Sequence, residues 1–542
     1  MQKNTAPVTE KKKNIVFNGV IILTLSNLLI KTIGLLFKIP ITNIIGDEGM
    51  GYFNSAYRIY IWFYMISTAG LPIALSIMIS ESRTKGNIRE VKKIYKITMI
   101  LFIIIGFSGM AIMMIGSKLF AAIIDLNAVY MCIISIAPTI FFICVSSAIR
   151  GFFQGYQNML PTAVSQIIEA TGKLSLGIIL AIYAVNKGYA LPMVAAYSIS
   201  GLTIGAGAGM MFLLAAKWRF KEDKINLENK SEQNVRASIN LIMTLVKLAV
   251  PITVSASVMS LTDFIDVAII MRRLQDIGYT EQSAAAMYGN YSALAVSMFN
   301  MPPALIYPIS YSIIPLISST LAAGATEKAV NIMKNAIKVV AIIAFPTALG
   351  LSVLAKPILS LFFRTSSAET AAPLLSVLAL SVFFIGMLSV TNAILQANGY
   401  ERKPIISIIS GAVVKVISSA VLIGIPVINI YGAPIGTFLC YLTITVINFR
   451  FLSKYANITP AIVKVFIKPL ISAVICAAAA GFSYILFEKF ISAKIASVCA
   501  IAFAGIVYII MLLLLKGVNR EEIIMLPKGN KIYTVLCKLK LM

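Results

Sequence analysis

Long runs of apolar residues, separated by short polar stretches, are the dominant pattern along this chain of 542 residues. Each run holds about 20 residues or more, which lets an α-helix cross a hydrocarbon core about 30 Å thick. A transmembrane β-barrel would instead alternate in polarity over segments of about 10 residues. The pattern therefore predicts an all-α polytopic membrane protein with about fourteen transmembrane helices. The predicted spans are residues 15–38, 52–80, 95–116, 129–150, 161–185, 190–216, 241–272, 284–319, 331–354, 372–397, 404–426, 431–452, 463–487 and 495–516.

The chain also repeats itself. GLPIAL at 70–75 resembles NMPPAL at 300–305, and QGYQNMLP ending at Pro161 resembles NGYERKP ending at Pro404. Six spans followed by six related spans indicate two pseudo-symmetric six-helix lobes, a known transporter plan, with two extra C-terminal helices left over. The polar stretch 217–240 is the predicted link between lobes. The predicted domains are an N-lobe with this cytoplasmic loop at 1–240, a C-lobe at 241–455, and the last two helices with a basic tail at 456–542.

Basic residues cluster in the loops that share one side of the membrane if the spans alternate. By the positive-inside rule that side is cytoplasmic, and both termini lie there. This rule accounts for most of the net charge of +25, so no nucleic-acid partner is predicted. Arg272 and Arg273 are exceptions, because they fall at the outer end of the seventh span. The basic loops include KKK at 11–13, ESRTKGNIREVKK at 81–93, KWRFKEDK at 217–224 and ERK at 401–403.

The amino-acid composition limits the chemical activities that this chain could have. The chain is 59% hydrophobic and only 12% charged, has no histidine, and holds six cysteines without paired spacing. The usual general base and the usual metal ligands are therefore missing. There is also no P-loop pattern. The sequence predicts a protein that is not an enzyme and uses no metal, cofactor or ATP, with a membrane potential or ion gradient as its driving force.

The first span carries polar residues on one face. A charged side chain at the bilayer centre costs about 2.5–3.5 kcal/mol, so it usually faces a bundle interior or a wet cavity. Thr24, Asn27, Lys31, Gly34 and Lys38 are spaced 3, 4, 3 and 4 residues apart, which places them on one helical face. Lys31 is too deep to snorkel easily, and we expect it in a cavity. Lys38 fits either a cavity or the outer interface.

Charged residues also occur in the second and seventh spans. Arg58 lies among Tyr57, Tyr60 and Tyr64, which fits a cavity wall or an interfacial belt. In the seventh span Ser255, Thr262, Asp266 and Arg273 share one face, and Asp263 lies to the side. Asp266 could pair with a basic residue of another helix or handle substrate or an ion.

The fifth span carries a carboxylate and an ammonium on one face. Thr162, Gln166, Glu169 and Lys173 are spaced 4, 3 and 4 residues apart. Glu169 precedes Lys173 by four residues, the better orientation for a helical ion pair. The spacing predicts a self-neutralising Glu169–Lys173 pair that faces the interior, with direct substrate contact or ion coupling as the alternative.

Cations outnumber anions among these interior candidates. A cationic, hydrated cavity suits an anionic substrate, and Lys and Arg are natural partners of phosphate. The cations are Lys31, Lys38, Arg58, Lys173, Arg273 and Lys415, and the anions are Glu169, Asp263 and Asp266.

Three stretches resemble a known family. KIPITNIIGDEGMGYFNSAYRIY at 38–60, STAGLPIALSIMISES at 67–82 and RGFFQGYQNMLPTAVSQIIE at 150–169 are similar to the MurJ-like flippases, the group of stage V sporulation protein B and YtgP in the MOP transporter superfamily. The resemblance implies a bacterial plasma-membrane flippase that moves a polyprenyl-pyrophosphate-linked cell-wall precursor, such as lipid II, from the inner to the outer leaflet. It further implies a cationic central cavity, a groove for the lipid tail at the last two helices, membrane lipids as partners, a monomer, and contact with the cell-wall synthesis machinery.

The resemblance also assigns residues. Family members carry basic cavity groups on the first, second and eighth spans, and the first two positions match Lys31 and Arg58. The eighth span here has no charge, and the Asp that Gram-negative members carry after the first span is missing. Lys38 and Arg273 are further expected cavity cations. The residues expected to contact sugar are Asn27, Tyr288, Asn290 and Tyr291.

Other functions remain open at this point. A drug or cation antiporter of the same superfamily would prefer an acidic cavity. A flippase for capsule, teichuronic-type or spore-cortex units fits the same features, as does a sporulation-specific paralogue. A membrane glycosyltransferase or polymerase would need acidic metal-binding residues at an aqueous face, and none stand out.

Overall fold

A computed structural model describes residues 8–220, 236–456, 463–515 and 517 of the chain. This part of the chain is helical and has no strands, which confirms the all-α prediction. It contains thirteen helical segments that are long and apolar enough to cross a membrane. The first segment, Leu29–Thr84, is 56 residues long and contains most of the first two predicted spans. The chain is therefore a multi-pass membrane protein.

The helices are numbered in chain order. The first ten are α1 Val8–Thr68, α2 Leu71–Thr84, α3 Ile88–Ile115, α4 Ser117–Ile123, α5 Tyr130–Ile136, α6 Pro138–Gly155, α7 Leu160–Asn186, α8 Leu191–Arg219, α9 Ser238–Asp276 and α10 Glu281–Gly289. The others are α11 Val296–Phe299, α12 Met301–Ala322, α13 Thr326–Val353, α14 Ala355–Phe362, α15 Thr365–Ala379, α16 Ser381–Ala397, α17 Arg402–Ile423, α18 Gly432–Ala456, α19 Lys468–Glu488 and α20 Ala493–Leu514. Short π-helical segments occur at Asn290–Ala295 and Val463–Ile467.

A sharp kink divides α1 into two parts at Gly46. Its backbone angles, φ 68° and ψ −174°, belong to a region that glycine alone occupies readily. The kink falls in the GDEGMG stretch between the first two predicted spans. α1 therefore consists of two helical parts that meet at the non-helical residue Gly46.

The described chain divides into two compact units. The first unit comprises Met1–Arg272 and Thr280–Gly289, and the second comprises Arg273–Tyr279 and Asn290–Met542. This division differs from the predicted lobe boundary at 240/241, because α9 and α10 pack with the first unit. The Trp62 ring of α1 stacks on the Phe264 ring of α9 with centroids 5.6 Å apart.

The predicted inter-lobe link at 217–240 begins and ends on the first unit. Phe220 packs its ring against Phe152, Phe153 and Tyr156, with centroid distances of 5.2–5.8 Å. On the other side of residues 221–235, the Arg236 guanidinium donates two hydrogen bonds to the Glu90 carboxylate at 2.6 and 2.8 Å. The described residues on either side of this stretch therefore belong to the same unit.

The two surplus helices belong to the second unit. Buried residues of α19 and α20, such as Cys476 and Ala504, join the core built by α12, α13 and α16. The Tyr508 hydroxyl of α20 donates a hydrogen bond to the Ile342 carbonyl of α13 at 2.7 Å. Large apolar side chains remain exposed on both helices, as expected for surfaces that face lipid.

Candidate functional site

The first unit encloses a cavity of about 410 Å³ within the predicted membrane-spanning helices. Its walls come from α1, α6, α7 and α8. Three tyrosines of α1 form one wall, with successive ring centroids 5.6 and 5.9 Å apart. The polar and aromatic lining residues are Asn27, Lys31, Phe37, Tyr57, Tyr60, Tyr64, Arg150, Gln166, Glu169 and Lys173.

The first part of α1 places Asn27 and Lys31 in this lining. They are four residues apart, so they extend from the same face of the helix, as their spacing predicted. Lys31 is exposed toward the cavity, and no ion pair of Lys31 is found among the described residues. The side chain of Thr24, predicted on the same face, lies outside the described residues. The binding roles of Asn27 and Lys31 stay predictions.

Glu169 forms a buried ion pair with Arg150 of α6. The distance from Arg150 Nη2 to Glu169 Oε2 is 2.8 Å, and the two side chains are only 8% and 13% exposed. Arg150 Nε also donates a hydrogen bond to the Ser165 hydroxyl at 3.0 Å. The predicted Glu169–Lys173 pair is therefore wrong. The planar guanidinium reaches two partners on α7 at once, which a lysine four residues along the same helix cannot do.

Sequence reasoning missed Arg150 because it placed the residue at the end of a span, next to a loop. The structure continues α6 to Gly155, which carries Arg150 along the helix against α7. Small residues one turn apart permit close packing here, since a side chain at Gly151 or Gly155 would collide with α2. This glycine spacing indicates the contact of α6 with α2, and it gives no signal for the contact of Arg150 with α7.

Lys173 contacts aromatic rings. Its Nζ lies 4.9 Å from the ring centroid of Phe37, 4.8 Å from that of Tyr57 and 5.8 Å from that of Phe53. In the described part of the chain no carboxylate lies within ion-pair distance of Lys173. Lys38, a predicted cavity cation, does not line this cavity.

Arg58 lies beside the cavity and does not line it. Its Nη1 is 2.7 Å from Asp263 Oδ2 of α9, and the two side chains are 27% and 39% exposed. The Tyr288 hydroxyl of α10 also forms a hydrogen bond with Arg58. Asp263, which the sequence places beside the polar face of the seventh span, is thus the carboxylate that pairs with Arg58. Asp266 is buried nearby, 7% exposed.

Three further predicted residues belong to the second unit and line no part of this cavity. Arg273 Nε donates to the Ala420 carbonyl of α17 at 2.9 Å, and Nη1 binds Asp276 at 2.9 Å. Arg273 therefore stabilises a helix end, in contrast to the cavity role predicted for it. Asn290 and Tyr291 are both buried, each 4% exposed.

The remaining predicted positions add little to the site. Lys415, the repeat counterpart of Lys173, is buried in the second unit. The side chain of Ser255, predicted on the polar face of the seventh span, lies outside the described residues.

The cavity carries more positive than negative charge. Glu169 neutralises Arg150, so Lys31 and Lys173 supply the excess charge. Gln166 Oε1 and Glu169 Oε1 are buried and have no hydrogen-bond partner among the described residues, so each can still accept a hydrogen bond. The two lysine charges can attract an anion. The three tyrosine rings can stack against apolar ring faces of a ligand.

The chain matches two family models. Residues 16–321, more than half of the chain, match the polysaccharide biosynthesis protein model, and residues 251–421 match the MatE model. Stage V sporulation protein B of Bacillus subtilis (strain 168) is 23% identical over 95% of this chain and 98% of its own length. Lipid II flippase MurJ of the same organism is 22% identical over 81% of this chain and 82% of its own.

A solved structure supports the fold. The inward closed conformation of lipid II flippase MurJ superimposes with a TM-score of 0.66 at 14% sequence identity. The match covers 91% of this chain and 98% of that chain. At this identity the likeness concerns the arrangement of helices alone.

Proposed function

The chain belongs to the polysaccharide biosynthesis protein family, and from this premise we propose that it is a flippase for a polyprenyl-pyrophosphate-linked glycan, foremost lipid II. In this proposal it moves the lipid-linked head group from the inner to the outer leaflet of the bacterial plasma membrane by alternating access. The observation that carries the proposal is the cavity in the first unit, which holds two lysines without carboxylate partners inside the described membrane helices.

Electrostatics makes such a cavity useful for this substrate. A diphosphate with a sugar head cannot cross hydrocarbon unaided, because burying an uncompensated charge is very costly. A hydrated cationic cavity replaces part of the solvation that the head group loses. Outward movement of an anion also gains about 2.3 kcal/mol per charge per 100 mV of inside-negative potential. That driving force suffices without ATP.

The lining residues suit different parts of the substrate according to their chemistry. Lys31 supplies charge for the diphosphate, and Asn27 supplies an amide for sugar hydroxyls. The tyrosines at 57, 60 and 64 offer ring faces against which the apolar faces of sugar rings can stack. The polyprenyl tail remains in the bilayer, next to the exposed apolar sides of α19 and α20. We expect a monomer with both termini in the cytoplasm.

Two alternatives have specific support. A flippase for another lipid-linked glycan, such as a capsule, teichuronic-type or spore-cortex unit, is favoured by the long match to stage V sporulation protein B. A cation or drug antiporter is favoured by the MatE match at 251–421. The excess positive charge of the cavity opposes the second alternative, because it would repel a cation.

The test is expression in cells depleted of their own lipid II flippase, with lipid II in the outer leaflet as the readout. The wild-type chain should restore outer-leaflet lipid II, Lys31→Gln should lose most of that activity, and Lys31→Arg should keep part of it. Lys118→Gln, which removes an exposed lysine of α4, is the matched control and should behave as wild type.

Wild-type chain that is well expressed yet exposes no lipid II would exclude lipid II as the substrate. The same cells supplied with a capsule or cortex precursor would then identify the glycan. Uptake or export of a cationic dye that requires Lys31 would support the antiporter instead.

A further inference from the structure

The Lys173 ammonium lies in a cage of three aromatic rings, those of Phe37, Phe53 and Tyr57. The face of an aromatic ring carries the negative part of a quadrupole and so attracts a cation. Unlike a carboxylate, a ring has no net charge. The cage therefore holds the ammonium in place and leaves its positive charge available to the cavity.

The two nearest arginines are held in the opposite way. Arg150 is paired with Glu169, and Arg58 with Asp263. An anion that approached either arginine would have to compete with a carboxylate already in contact. Lys173 has no such competitor in the described part of the chain.

The rings of the cage are held in fixed positions by the packing around them. The rings of Phe37 and Phe53 are almost fully buried, at 1% and 2% exposure, and their centroids are 5.7 Å apart. Phe37 precedes the kink at Gly46, whereas Phe53 and Tyr57 follow it, so the two parts of α1 grip Lys173 of α7 from different directions. Tyr57 and Lys173 also line the cavity, which places the ammonium at its wall.

We propose that Lys173 contacts the phosphate oxygens of the substrate together with Lys31, and that the ring cage positions its ammonium without cancelling its charge. Two lysines in one cavity suit the charge of a diphosphate, and an ammonium donates hydrogen bonds to phosphate oxygens from three positions. This inference rests on the proposed function for the identity of the anion. In this proposal Lys173 contacts the substrate, whereas the sequence predicted that it pairs with Glu169.

The direct test is calorimetric titration of the purified full-length protein with inorganic pyrophosphate. Lys173→Gln should weaken binding about 10- to 100-fold, as expected for a lost hydrogen bond to a charged group. Lys173→Arg should retain part of the affinity, and the control Lys118→Gln should match wild type. Pyrophosphate affinity that survives Lys173→Gln in folded protein, or wild-type protein that binds no pyrophosphate, would overturn the proposal.

A second test isolates the cage. Phe53 lies in the cage but does not line the cavity. It also packs against the rings of Phe37 and Tyr57, so the effect that passes through Lys173 is the part that disappears in the Lys173→Gln background. Phe53→Leu should weaken binding several-fold, Phe53→Tyr should preserve it, and Phe53→Leu should have no further effect once Lys173→Gln is present. Equal losses in both backgrounds would show that the rings serve only packing.

The outcomes separate this inference from the proposed function. Lys173-dependent pyrophosphate binding by a protein that exposes no lipid-linked glycan would support the site and contradict the flippase. Normal outer-leaflet lipid II with Lys173→Gln would support the flippase and contradict the role of Lys173.

Discussion

Two charged groups on the same face of α7, four residues apart, have opposite surroundings. Glu169 is locked to an arginine from α6, and that pair is almost neutral as a unit. Lys173 is surrounded by rings from α1, which carry no net charge and so do not cancel its own. A membrane protein can thus stabilise a buried charge either by cancelling it or by surrounding it with polarisable ring faces. Only the second solution leaves the charge usable by a ligand.

We expect the largest effect on stability from removing the cation of the Arg150–Glu169 pair. Arg150→Met would leave the Glu169 carboxylate buried without its cation, and removing one partner of a buried pair costs about 3–5 kcal/mol. We expect a strong loss of folded protein and a lower melting temperature in detergent. Arg150→Met together with Glu169→Gln should recover much of the loss.

The same experiment separates the two possible partners of Glu169. Lys173→Met combined with Glu169→Gln should show effects on stability that simply add, because these residues do not contact each other in an ion pair. Strong coupling between Glu169 and Lys173, with little between Glu169 and Arg150, would contradict the pairing seen here.

An intermediate effect is expected at the kink that brings the parts of the cage together. Gly46→Ala forces a side chain into a backbone region that costs on the order of 1–3 kcal/mol. If α1 relaxes, Phe37 and Phe53 should separate, and pyrophosphate affinity should fall while the Arg150–Glu169 pair persists. Gly350→Ala in α13 is the control, since a side chain there meets no neighbour within 4 Å and Gly350 does not line the cavity. Equal effects of the two substitutions would argue against a special role for the kink.

The smallest effect on stability is expected for the partly exposed pair on α9. Asp263→Asn removes the negative partner of Arg58, and pairs at this exposure contribute about 0–1 kcal/mol. The melting temperature should therefore hardly change. Pyrophosphate should bind a few-fold more tightly, because the Asp263 carboxylate, 2.7 Å from Arg58, no longer competes with it. Unchanged or weaker pyrophosphate binding in titrations would place Arg58 outside the reach of the anion.

The sequence predicted the fold well because the decisive signal is local. A run of about 20 apolar residues must form a helix across the bilayer, whatever its neighbours are. The kink at Gly46 agrees with this reasoning, since it falls between the first two predicted spans. The packing of α9 on the first unit could not be predicted, because it depends on tertiary contacts such as Trp62 against Phe264.

The site was predictable only where one helix decides the geometry. Spacing placed Asn27 and Lys31 on a common face, and both line the cavity. The partner predicted for Glu169 was wrong. A favourable spacing within one helix gives no information about an arginine on a neighbouring helix. The role of Arg273 at the end of α17 depends on a backbone carbonyl that no side-chain pattern reveals.

The anchoring of Phe220 and Arg236 has a practical consequence for protein engineering. Phe220 is fixed among three rings, and Arg236 is fixed by the Glu90 carboxylate, so both attachment points of the intervening stretch lie on one compact unit. A fluorescent protein or epitope inserted between residues 221 and 235 would then be carried by that unit alone. Such an insertion offers a reporter position for single-molecule measurements that leaves the cavity lining and the lysine cage unaltered.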